Sequence, residues 1–150
     1  AGCDPVAVVV GANLENVAAA LRGLAVLIVP NEDWERGLGT SIRAGVVRLQ
    51  ESDAVILLVC DQPKVDAGLL RNLIARQEQT GQPMVASRYA ATNGVPALFT
   101  RACFERLLAL EDDSGAKALL QSRPAEVATV AFPAAAFDVD TPADFHLLGH

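Results

Sequence analysis

The stretch AVILLVCDQPK, residues 54–64, is an apolar run that ends abruptly in Asp61, with Pro63 two residues on. In open α/β sheets, ligands bind beyond the carboxyl ends of the strands. A carboxylate held by a rigid turn at such an end suits Mg2+, a hard cation that takes oxygen ligands. A second acidic pair lies in FDVDTPADF, where Asp138 and Asp140 flank Val139 and so share one face of a strand. Two acidic strand ends in one sheet could jointly hold a metal with a triphosphate, as phosphoryl and nucleotidyl transfer require. The alternatives are an ordinary turn former at Asp61 and, at Asp140, a charge that complements the N-terminus of the following helix.

Two further stretches have the makings of a ligand loop. In ERGLGTSIRAG, residues 35–45, Gly37 and Gly39 permit close backbone approach, and Thr40 and Ser41 bring hydroxyls to the start of a helix. A helix N-terminus favours an anion or a base edge, but the pattern is neither GxGxxG nor a P-loop and also reads as a plain helix start. NGVPALF, residues 93–99, combines a turn glycine with a proline entering a strand. It could line a pocket, although proline in a strand points first to an edge strand. Cys60, Trp34, Tyr89 and His146 read as structural or incidental, a strand-end cysteine being ordinarily buried packing. Asp112 and Asp113 read as a solvated turn before a helix capped by Ser114.

The elements that must position these residues follow from hydrophobic periodicity. VAVVV (6–10), AVLIV (25–29) and AVILLV (54–59) are continuous apolar runs, the pattern of strands buried on both faces of a parallel sheet. PMVAS (83–87), VPALF (95–99), EVATVAF (126–132) and FDVD (137–140) predict shorter strands. Helical patterns span 14–22, 41–50, 101–109 and 114–122, and Asp66 is placed to cap another that runs to about Gln79. Thr141, Pro142 and Asp144 have the layout of a helix start. The alternation predicts one α/β domain over residues 1–150 with right-handed crossovers.

Composition narrows the function. Of 150 residues, 51% are apolar, enough for a packed core, and the net charge of −6 argues against sequence-independent nucleic-acid binding. Three cysteines without a CxxC give neither a disulfide framework nor a zinc site and fit a reduced cytoplasm. No apolar run reaches the roughly 18 residues of a membrane span.

In order along the chain, CDQP, GLGTSIRAG, NGVPALF, DDSGAKALL and DVDTPADF resemble the motifs of the MobA-like nucleotidyltransferases. Within that group the chain is most similar to the MocA branch, the molybdenum cofactor cytidylyltransferases. The resemblance implies a Rossmann-like three-layer α/β/α sandwich with a mostly parallel sheet, of the nucleotide-diphospho-sugar transferase type. It also implies Mg2+-dependent transfer of CMP from CTP to molybdopterin with release of pyrophosphate, in the service of a molybdoenzyme. On this basis Asp61 and Asp140 are the metal-binding and catalytic positions, with Asp138 a further candidate ligand. Gly39, Thr40 and Ser41 fall near the nucleotide, joined by Cys60 and Gln62 on either side of Asp61. Gly94, Val95 and Pro96 fall near the acceptor. The family's opening strand and its phosphate loop, of the form LAAGxSxRxGxPK, have no counterpart ahead of AGCDPVAVVVG, so a strand between VAVVV and AVILLV is expected to be missing. Three readings stay open: a MobA-like transferase using GTP or a different acceptor, a non-catalytic nucleotide-binding relative, and, least favoured, a receiver domain. The last lacks its acidic pair and its lysine.

Overall fold

Each apolar run from 6–10 to 126–132 forms a strand in the computed structural model, which describes residues 1–89 and 92–132. In chain order the elements are β1 (Ala7–Val10), α1 (Leu14–Ala20), β2 (Leu27–Pro30), α2 (Leu38–Arg48), β3 (Ala54–Leu57) and α3 (Ala67–Thr80). There follow β4 (Met84–Tyr89), β5 (Thr92–Thr100), α4 (Phe104–Leu108), α5 (Ala116–Ser122) and β6 (Val127–Ala131). The expected strand at 137–140 and the helix start at Thr141, Pro142 and Asp144 lie outside the described residues, as do Asp138, Asp140 and His146. Asp66 caps α3 as its sequence position predicts, accepting the Leu69 amide at 2.8 Å, and Gly81 ends the helix in the left-handed region.

The strands form two sheets among the described residues. β1 and β2 pair in parallel, and a second sheet has the order β3-β5-β4-β6. In the second sheet β4 and β6 are parallel, whereas β5 runs antiparallel to both of its neighbours. Alternation along the central strands builds three layers. Met84, Ala86, Ala97 and Phe99 face α2, α4 and α5, where they meet Val46, Leu107 and Leu120. Val85, Leu98 and Ala128 face the other way, onto Leu70, Leu73 and Ile74 of α3. The helix α2 serves both sheets: its Ile42 and Val46 join the first of these cores, and its Gly45 lies against Val9 of β1. No described helix is long and apolar enough to cross a membrane.

The edge-strand expectation for Pro96 is overturned. Pro96 is fully buried in β5, which has a neighbour on each side. A bulge makes this possible: Ala86 pairs with Ala97 while Ser87 pairs with Gly94, so Val95 and Pro96 have no ladder partner on β4. On the other side the pairing with β3 stops at Leu57 and Ala97. The missing proline N–H therefore interrupts no hydrogen bond.

Candidate functional site

Asp61 is set by the way β3 leaves the sheet. The ladder ends at Leu57, and a turn closed by Val65 N–H to the Gln62 carbonyl (3.1 Å) carries the chain to the Asp66 cap of α3. Asp61 is half-buried, and its Oδ1 is shielded from solvent with no hydrogen-bond partner. Gln62 beside it is buried. Cys60 is exposed, which corrects its reading as strand-end packing. The ladder has ended three residues earlier, so Cys60 rides on the turn.

The direction of β5 decides what Asp61 meets. Because Ala54 pairs with Thr100 and Leu57 with Ala97, the first half of β5 lies at the carboxyl end of β3. Gly94, Val95 and Pro96 therefore share an end of the sheet with Asp61. Gly94 lies under the Tyr89 ring: a Cβ would lie 2.4 Å from the Tyr89 hydroxyl, so any other residue there would displace that side chain. Ser87 Oγ donates to the Pro96 carbonyl at 2.7 Å, which fixes the bulge. Asn93 Oδ1 in the same stretch is also shielded from solvent without a partner.

A second cluster forms where β2 ends. Asn31 is buried and directs its amide to Thr40 Oγ1 (2.8 Å) and Ser41 Oγ (2.9 Å), while its Oδ1 accepts the Asp33 amide (3.1 Å). Thr40 Oγ1 in turn lies 2.7 Å from the Gly37 carbonyl, to which it donates. Gly39, Thr40 and Ser41 thus sit in the first turn of α2, brought together by one strand-end asparagine. The two glycines make room for protein backbone. A Cβ on Gly37 would lie 2.4 Å from the Asp112 carbonyl oxygen, and one on Gly39 would lie 2.1 Å from that of Glu111. The Gly39 amide donates to the Asp112 carbonyl at 2.8 Å.

Asp112 is not part of a solvated turn, contrary to expectation. Its carboxylate bridges Arg43 and Arg36, the latter at 2.6 Å, and Arg43 also donates to the Leu110 carbonyl. The hydrogen bond from Arg43, reinforced by the charges of both guanidiniums, holds the Asp112 carboxyl below its ordinary range. Sequence reasoning missed Asn31, Arg36, Arg43 and the Asp112 contacts. For Asn31 the signal was there, since it follows an apolar run just as Asp61 does. The Asp112 pairing spans 69 residues and left none.

Asp61 fits one ligand position of a hard cation, since its buried oxygen needs a partner and a carboxylate is the donor such cations prefer. Among the described residues, no group of three or more His, Cys, Asp or Glu could hold a metal ion.

In open α/β sheets, ligands bind in the crevice beyond the carboxyl ends of the strands, where Asp61 lies. The chain belongs to the MobA-like NTP transferase domain family, whose model matches residues 1–127. A manganese complex of Rv0371c from Mycobacterium tuberculosis H37Rv is 30% identical, covers 99% of this chain and 79% of its own, and superposes with a TM-score of 0.76. Purine catabolism protein PucB of Bacillus subtilis (strain 168) is 29% identical over 93 residues, 61% of this chain and 44% of that protein. Nicotine blue oxidoreductase of Paenarthrobacter nicotinovorans is 32% identical over 73 residues, 49% of this chain and 36% of that protein. The matched regions span less than half the length of these two curated relatives.

Proposed function

We propose that the protein is a Mg2+-dependent nucleotidyltransferase that moves CMP from CTP to the terminal phosphate of a molybdopterin-type acceptor. The observation that carries this reading is the buried, unpartnered Oδ1 of Asp61 at the carboxyl end of β3, in a chain of the MobA-like family. Leaving a buried acceptor unsatisfied costs about 1–3 kcal/mol, a cost that ligand binding removes. Asp61 is the residue that would hold the cation, with Asp140, and Asp138 as a further ligand, supplied by the segment after β6. The manganese complex of the similar Rv0371c supports a divalent metal.

The reaction forms a bond from an acceptor phosphate oxygen to the α-phosphorus of the nucleotide and breaks the bond to pyrophosphate. A bound divalent cation supplies neutralisation of the triphosphate charge. The rest is positioning, which needs no covalent protein nucleophile. Gly39, Thr40 and Ser41, with Cys60 and Gln62, are assigned to the nucleotide, and Gly94, Val95 and Pro96 to the acceptor. The assignment to the acceptor is supported by the shared end of the sheet: β5 delivers this stretch beside the turn that carries Asp61.

The test is pyrophosphate release from CTP, GTP, ATP and UTP in the presence of a molybdopterin-type acceptor, with Mg2+ or Mn2+, in the wild type and in Asp61→Asn. CTP-dependent release that disappears in the variant is expected. Release that survives the substitution would refute the role of Asp61. A second reading is a family member with a different base or acceptor, or a nucleotide binder without turnover. It is favoured by the relatives' names, which point to purine catabolism and to oxidoreduction. Release with another nucleotide, or a metal-dependent thermal shift without release, would establish it.

A further inference from the structure

We infer that Asp112 is a positioning residue for nucleotide recognition, clamping the segment 110–113 onto the start of α2. This rests on the assignment of Gly39, Thr40 and Ser41 to the nucleotide. The clamp has four parts. Its floor is the glycine pair, since Gly37 and Gly39 alone leave room for the carbonyls of Asp112 and Glu111. A backbone bond from Gly39 to Asp112 joins the two segments. The carboxylate of Asp112 then ties down Arg36, just before α2, and Arg43, one and a half turns into it. Arg43 also holds the Leu110 carbonyl, so both ends of the short segment are fastened to the same helix.

The consequence falls on the cluster at the end of β2. Thr40 and Ser41 can receive the Asn31 amide only while the first turn of α2 keeps its place relative to β2. The Gly37 carbonyl accepts from Thr40 Oγ1 and belongs to the residue against which the Asp112 backbone packs. Asp112 thereby fixes hydroxyls that it does not touch. A hydrogen-bonding site selects a base only when its donors and acceptors are held in place. The glycine signature that reads as a loop for close ligand approach is here filled by the protein's own backbone.

The test compares the wild type with Asp112→Asn and Asp112→Glu in the full protein. Two probes are titrated by calorimetry in the presence of Mg2+. One is whichever of CTP, GTP, ATP and UTP the wild type binds most tightly, and the other is inorganic pyrophosphate. Asp112→Asn is expected to weaken the nucleotide about tenfold, the scale of a modest misplacement, and to leave pyrophosphate within about twofold. Asp112→Glu is expected to recover most of the loss. Exchange of the Gly39 amide hydrogen, read in the same variants without ligand, should quicken in Asp112→Asn. Equal weakening of both probes would make the clamp a general structural support and overturn the inference. So would unchanged nucleotide binding or unchanged Gly39 exchange, while the proposed activity would stand. Absence of nucleotide binding by the wild type would overturn both.

Discussion

Replacing Gly39 by alanine sets two opposed effects against each other. In an α-helix the change is ordinarily favourable, worth about 1 kcal/mol through propensity. Here the new Cβ would lie 2.1 Å from the Glu111 carbonyl oxygen and 3.0 Å from that of Asp112. Both neighbours are backbone, so neither can swing aside as a side chain would. Overpacking of this kind costs about 1–3 kcal/mol. Parting the segments also loses the Gly39–Asp112 backbone bond, about 1 kcal/mol. The balance is a destabilisation of about 1–3 kcal/mol, or roughly 3–10 °C in Tm for a chain of this size. Gly45→Ala is the matched control. It lies in the same helix, and its Cβ would meet only a methyl of Val9 at 3.2 Å, a contact that a side chain can relieve. Thermal unfolding followed by far-UV circular dichroism, with urea titration for the free energy, reads both variants. A Gly39→Ala protein as stable as Gly45→Ala, or more stable than the wild type, would refute the packing of 111–113 on α2.

Other consequences follow from the same contacts. Asp61→Asn should remove turnover while leaving Tm unchanged or slightly higher, because it removes the charge from a half-buried carboxylate whose Oδ1 is shielded without a partner; a lowered Tm would make Asp61 a structural residue. Asp112 has a depressed folded pKa, so its contribution is present above the ordinary aspartate range and is lost as pH falls through the folded value. The Tm difference between the wild type and Asp112→Asn should therefore be largest near neutrality and vanish in acid, and a difference independent of pH would contradict the ion pairs. Ser87→Ala should cost about 1–2 kcal/mol by freeing the buried Pro96 carbonyl, checked by urea titration. Cys3 and Cys60 should react with a thiol reagent in the native protein, whereas Cys103, fully buried and with its thiol pushed up by burial, should react only on unfolding. Labelling of all three at one rate would refute that placement.

Local pattern determined much of this protein. Apolar runs announced six described strands to within a few residues, and Asp66 announced its helix, because strand hydrophobicity and a capping carboxylate are both written in consecutive residues, although β2 alternates half-buried and exposed positions instead of being buried on both faces. The same strand-end rule singled out Asp61. Pairing was decided elsewhere. Nothing in NGVPALF states that β5 runs against its neighbours, nor that a bulge lets Pro96 lie in the middle of the sheet. Both depend on partners beyond the stretch itself, and that direction brings Gly94 to the end of the sheet where Asp61 lies. The glycines of GLGTSIRAG were legible as a call for close approach, but only the fold supplied the visitor, the backbone of 111–113. A residue type records that space or charge is needed at a position. Which distant segment fills the space, or answers the charge as Asp112 answers Arg36 and Arg43, is settled by packing the whole chain at once.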